Sequence, residues 1–119
     1  MEHRFDHERL DVYQLSLQFV AFAERLAREM PAGSSSLRNQ LDRAADSISL
    51  NIAEGGGEFA KKEKARFYRI AKRSTSESAG ALDLFVARGM LTNSAVDPGH
   101  EMLSRMTAML IKLIKSVEQ

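Results

Sequence analysis

No cysteine occurs among the 119 residues, which excludes a disulfide scaffold, a thiolate metal site and a cysteine nucleophile. That absence suits a reducing cytoplasm, the expected location. Long apolar runs are missing too: no uncharged stretch approaches the ~20 residues that a bilayer-spanning helix requires, so no membrane partner is expected. The opening MEHRFDHERL is charged where a secretory signal would be apolar, and no export signal is expected. Net charge is only +1, so attraction to a polyanion has to come from clustering and not from bulk charge. The three histidines fit no Glu-x-x-His element of a di-iron bundle. His3 and His7 have the i, i+4 spacing of half a metal site, but only Asp6 and Glu8 stand near them. His100 reads as a surface residue. No nucleophile–base–orienter set is recognisable, so the expectation is no enzyme, no catalytic residue, no metal and no cofactor.

What the chain does contain is four amphipathic segments, in an ordinary soluble composition of 44% hydrophobic and 28% charged residues. Its length fits one domain, 1–119, with 1–9 as a flexible N-terminal arm. Val12, Leu15, Phe19, Phe22 and Leu26 alternate in steps of three and four and predict a helix from Leu10 to Glu29. Pro31 biases Met30 away from helical geometry and ends it. Tyr13, Leu17 and Val20 form a second apolar set well round the cylinder. They read either as scattered surface hydrophobes or as a second buried face against another subunit.

Ser34, Ser35 and Ser36 are candidate N-caps for a second helix with Leu37, Leu41, Ala44, Ala45, Ile48 and Ile52 on one face. Gly55-Gly56-Gly57 reads as its terminator and as a hinge, with Gly55 in the left-handed conformation. A phosphate-loop reading fails, because no strand precedes the glycines and no Gly-Lys-Ser/Thr follows. A third helix is expected from Ala60 to Arg88, with Phe67, Ile70, Ser74, Ala81 and Phe85 inward and Gly89 as its stop. Asp97 as N-cap and Pro98 at the first position would open a fourth, carrying Leu103, Met106, Leu110, Leu113 and Val117. There is no strand signal and no internal repeat. The expected fold is all-α, an antiparallel up-down-up-down four-helix bundle.

Two polar constellations stand out on this frame. Lys61, Lys62, Lys64, Arg66, Arg69, Lys72 and Arg73, against the single acid Glu63, give 61–73 a local charge of +6; with +1 overall, the remainder totals −5. At ~100° per residue Lys62, Arg66, Arg69 and Arg73 fall on one stripe. Such a stripe can neutralise the phosphates of RNA or DNA, or can be a solvated face balanced by acids elsewhere. No recognition-helix motif predicts base-specific reading. The second set is Arg43, Ser47, Asn51 and Glu54 with Ser74 and Glu77. Glu54 and Glu77 read either as paired carboxylates for acid–base or metal chemistry or, with Arg43, Asn51 and Ser74, as polar groups satisfied within or between bundles.

Arg43-Ala44-Ala45, Ser47-Ile48 and Asn51-Ile52-Ala53-Glu54-Gly55 resemble the hallmark of bacterial four-helix-bundle proteins encoded by intervening sequences in 23S rRNA genes. Phe67-Tyr68-Arg69-Ile70-Ala71, then Ser74 and Glu77, are similar to that family's third helix, and Val12-Tyr13-Gln14 and Gly89-Met90-Leu91 also look like it. Glu58, Ala60 and Arg73 depart from its usual arginine, serine and glycine, and an acid at Glu58 puts an anion contact at the hinge in doubt. The resemblance implies a ring-shaped homopentamer with no established catalytic mechanism. It also implies kinship with accessory proteins of diversity-generating retroelements, which associate with nucleic acid and a reverse transcriptase. Two functions are therefore expected in parallel: a nucleic-acid-associated accessory factor, or a scaffold whose ring binds another protein.

Overall fold

The computed structural model describes residues 3–31 and 33–119. Four helices follow one another: α1 (Asp11–Glu29), α2 (Ser35–Gly57), α3 (Lys61–Ala87) and α4 (Asn93–Glu118). A short 3-10 turn, Asp6–Arg9, precedes α1. At ~1.5 Å per residue the 27 residues of α3 run about 40 Å, close to the 44 Å long axis of the molecule. The backbones of α1 and α2, α2 and α3, α3 and α4, and α4 and α1 lie side by side, whereas the diagonal pairs do not approach. That cycle, joined by the short links 30–34, 58–60 and 88–92, is the neighbour order of an up-down-up-down bundle. Among the described residues there is no strand.

One core joins all four helices, with Phe19, Ile48, Ile52, Tyr68, Leu82, Phe85, Met106 and Leu110 almost wholly removed from water. The expected faces of α1 and α2 hold: Val12, Leu15, Phe19, Phe22 and Leu26 are buried, as are Leu37, Leu41, Ala44, Ala45, Ile48 and Ile52. On α4, Leu103, Met106 and Leu110 are buried as expected, whereas Leu113 and Val117 are only half-buried and Ile114 enters the core. On α3 the expected face holds at Ser74, Ala81 and Phe85, which are buried, but is displaced in the first half of the helix. Phe67 and Ile70 are only half-buried, and the core stripe is Tyr68, Ala71, Thr75, Ser78, Leu82 and Phe85. Tyr68 stands one residue, ~100° of helix, from Phe67. Hydroxyls on Tyr68, Thr75 and Ser78 disguise the stripe in a hydrophobicity reading.

The glycine run is not a hinge. α2 continues through Gly57, its C-cap is Glu58 in extended geometry, and the described residues have positive φ only at Gly33 and Gly89. Close approach explains the glycines better. A Cβ on Gly55 would lie 2.5 Å from the Tyr68 ring, and one on Gly56 would lie 2.6 Å from His7 Cβ. The latter contact seats the 3-10 turn on the end of α2, so part of the stretch expected as a flexible arm is a folded turn here. There the His7 ring meets Tyr13 edge-on at 4.6 Å, and Gln14 Nε2 donates to the Glu8 carbonyl.

Two caps also differ from expectation. Ser34 occupies the N-cap position of α2, but its hydroxyl donates to the Pro31 carbonyl (2.8 Å) and caps nothing. α4 begins earlier than Asp97: Thr92 is its N-cap, accepting from the Ala95 N–H at 3.1 Å, and Pro98 lies inside the helix. A hydroxyl cap upstream outweighs the proline signal, and a proline this near the start removes just one backbone bond. Gly89 does stop the preceding segment. At φ 73° it donates to the Val86 carbonyl while Met90 donates to Phe85, the paired closure of a Schellman motif.

Candidate nucleic-acid interface

The cationic run 61–73 occupies the first half of α3, and helical phase divides it. Lys64 shares the face of Tyr68, turned towards α2. Its Nζ donates to the Gly55 carbonyl at 2.6 Å and to that of Gly56 at 3.4 Å, closing the carbonyl end of α2 with a positive charge. Arg66 lies over the Phe67 ring, 4.5 Å from its centre, and donates to Glu63 through Nε and Nη2. That hydrogen bonding and charge hold the Glu63 carboxyl below the usual range and the guanidinium above its own. Arg69 pairs with Glu118 near the end of α4, and Lys61 donates to the Gln119 carbonyl. Lys62, Lys72 and Arg73 make no ion pair or hydrogen bond among the described residues.

The predicted stripe of Lys62, Arg66, Arg69 and Arg73 is therefore unequal in charge, since Arg66 and Arg69 are already partnered. What the sequence does not reveal is that α4 supplies the opposite wall. Arg69, Lys72, Arg73 and Ser76 face Lys115, Ile111 and Ile114 across an open groove of about 490 Å³. A second depression of about 330 Å³ continues it towards the start of α3, between Lys61, Lys62 and Ala65 on one side and Val117 and Gln119 on the other. Arg69 and Glu118 line both, so their ion pair lies across the middle of one basic channel. Lys115 could have been found from sequence as a cation near the end of a helix, but its facing α3 could not.

The polar edge between α2 and α3 assembles in part. Ser74 Oγ donates to Ser47 Oγ (2.8 Å), and Asn51 Nδ2 donates to the Ser47 carbonyl (2.8 Å) and hydroxyl (3.1 Å). Arg43, Glu54 and Glu77 are exposed and join no hydrogen bond or ion pair among the described residues. Asn51 thus acts as an intra-helix fastening and Ser74 as an inter-helix one, while the carboxylates do not meet them. His3 pairs with Glu8 (3.5 Å), and among the described residues no group of three His, Cys, Asp or Glu gathers as metal ligands would.

Tyr13, Leu17 and Val20 lie together beside α2. With Asp46, Ser49 and Leu50 they line a groove of about 340 Å³, at whose base Ser49 donates to Ser16 (2.8 Å). Leu17 and Leu50 are 41% and 65% exposed, which leaves an uncovered apolar strip along two helices. No helix among the described residues is long and apolar enough to cross a membrane.

No curated protein matches the chain. A family model described as 23S rRNA-intervening sequence protein matches residues 8–112, which takes in α1, α2, α3 and most of α4. The chain therefore belongs to the 23S rRNA-intervening sequence protein family.

Proposed function

We propose that this protein is a non-enzymatic, homo-oligomeric accessory factor that associates with nucleic acid through the α3–α4 channel. One observation carries the reading: cations from two helices, Arg69, Lys72 and Arg73 on α3 and Lys115 on α4, rim the same groove, and Lys61 and Lys62 extend it. Convergence from separate elements concentrates positive potential where a solvated helix face would spread it. Phosphates entering the channel would release counterions, making the association salt-dependent. The kinship with retroelement accessory proteins that the sequence resemblance implies points the same way. The test is a gel shift with RNA and with DNA at low and physiological salt. Parent protein should give a salt-sensitive shift, and a variant with Lys62, Lys72, Arg73 and Lys115 changed to Glu should give none at unchanged oligomer mass. A parent protein that shifts neither polymer refutes the proposal.

A second surface supports the oligomeric part and the alternative role as a protein-binding scaffold. The strip of Tyr13, Leu17, Val20 and Leu50 is apolar, continuous and exposed, as a subunit contact would be in an isolated chain. The ring of five rests on the family resemblance. Light scattering of Leu17→Glu should show loss of the large species, and an unchanged mass would remove Leu17 from the contact. Affinity capture after nuclease treatment separates the two roles, since a protein partner survives the nuclease.

A further inference from the structure

We infer that the occupant of the channel is a single-stranded nucleic acid, held with its bases turned onto the protein; this rests on the nucleic-acid reading above and narrows it. The first ground is the channel's cross-section. Its rim is cationic, but the surface it offers below is apolar, Ile111 at 37% exposed and the half-buried Val117, lying over the buried Ile114 and Ala65. A duplex turns its phosphates outward and keeps its bases stacked inside, so it would meet the rim and leave the floor without a partner. An unpaired strand has both chemistries available at once, phosphates for the lysines and arginines and base faces for Ile111.

The second ground lies in the link that leads into α3. Phe59 is 98% exposed, an entire aromatic ring in water, in the link between α2 and α3 and close in sequence to Lys61 and Lys62. The Glu58 carboxylate accepts from the Phe59 N–H at 3.1 Å and more weakly from that of Ala60 at 3.4 Å, so its charge is turned onto the link's own backbone. An exposed aromatic ring beside cations is what unpaired bases stack upon, and every base has a face to offer.

From Lys61 to Ser76 the channel follows α3 for about 22 Å. At ~3.4 Å per stacked nucleotide that accommodates about six. The strand recognised is short and its reading is tolerant of sequence, because stacking uses a face that every base has.

The experiment measures fluorescence polarisation of labelled oligothymidylate and oligouridylate, each about twelve nucleotides long, against a hairpin duplex of equal length. It uses the full chain, its Phe59→Ala variant and its Phe59→Trp variant. Phe59 touches no core residue that its loss would disturb, so folding is not at issue. Both single strands should bind more tightly than the duplex. Phe59→Ala should weaken single-strand binding by about five- to a hundredfold, the range of one lost base stack, and leave duplex binding unchanged. Phe59→Trp should restore it. Equal affinity for the duplex, or single-strand binding indifferent to Phe59→Ala, overturns the inference while leaving the broader nucleic-acid reading intact. A Phe59→Ala variant that changes oligomer mass and not strand affinity also overturns it, by placing the ring in a protein contact. No salt-sensitive binding of any oligonucleotide overturns both.

Discussion

Arg69 reaches across to Glu118, and a phosphate arriving at that guanidinium has to displace the carboxylate and then lie beside its charge. Both side chains are about half exposed, 50% and 45%, so the pair contributes only ~0.2–1 kcal/mol to folding. Glu118→Gln keeps the length of the side chain and removes the charge. Freeing Arg69 returns up to ~1 kcal/mol to binding, a roughly two- to fivefold lower Kd. It also adds one cation to those that binding neutralises. Lys62, Lys72, Arg73 and Lys115 form no ion pair among the described residues. At about −0.7 in log K per log salt for each single-strand phosphate, those four set a slope near ~−2.8 per subunit, and the variant's fifth cation makes it ~−3.5. Raising salt from about 50 to 200 mM then weakens the parent ~50-fold and the variant ~130-fold. Polarisation titrations across that salt range measure both quantities. A Glu118→Gln protein that binds more weakly, or with the parent's slope, refutes the placement of Arg69 at the contact.

Glycine substitutions should separate by sign. Gly80→Ala, with nothing within 4 Å of the added Cβ, gains ~0.5–1 kcal/mol of helix propensity and should melt higher in calorimetry. Gly55→Ala and Gly99→Ala, whose Cβ atoms would lie 2.5 Å from the rings of Tyr68 and Phe22, should melt lower, because ~1–3 kcal/mol of overpacking exceeds that gain. Burial, then the neighbouring Glu24 and Asp46, raise the Asp42 carboxyl above its ordinary 3.8, against a smaller opposing effect of Arg38. The folded state therefore disfavours its charged form, and the cost is present at neutral pH and disappears below 3.8. Asp42→Asn should raise the melting midpoint at neutral pH, with the difference closing on acidification; a constant difference would rule out titration of Asp42 as its source. Lys64→Met should cost ~1 kcal/mol of stability through the lost closure of α2 and leave the salt slope unchanged, whereas Lys72→Met should do the reverse.

How far the sequence discloses the molecule depends on the kind of signal. α1 shows its buried face plainly because Val12, Leu15, Phe19, Phe22 and Leu26 are unambiguous hydrophobes at helical spacing. α3 does not, because its core stripe includes Tyr68, Thr75 and Ser78 while the more conspicuous Phe67 and Ile70 sit at the edge. Thr75 hides its hydroxyl by bonding the Lys72 carbonyl and Thr107, contacts that composition does not display. Gly55 has a left-handed reading and a close-packing reading, and only the ring of Tyr68 on a different helix chooses between them. Likewise Thr92 caps α4 ahead of the more obvious Asp97-Pro98 pair. In the channel, the α3 cations are visible in order along the chain, but the α4 wall depends on which helix packs beside which.

The +6 of 61–73 consequently overstates and understates the channel at once. Positions 61, 65, 69, 72 and 76 recur in steps of three and four and face α4, while 64, 68, 71 and 75 recur one face away and turn to the core and α2. A cation at 64 is thereby committed to the carbonyls of α2, and one at 66 to Glu63, whatever their contribution to the local sum. Lys115 restores charge from outside the run, and with Glu118 it lies beyond the 8–112 span of the family match. The family match thus spans most of the bundle, whereas the channel depends on how α3 packs against the last turns of α4. Because Lys115 and Glu118 stand one turn apart on the same wall, with opposite charges, the last turn of α4 both completes the channel and restrains it.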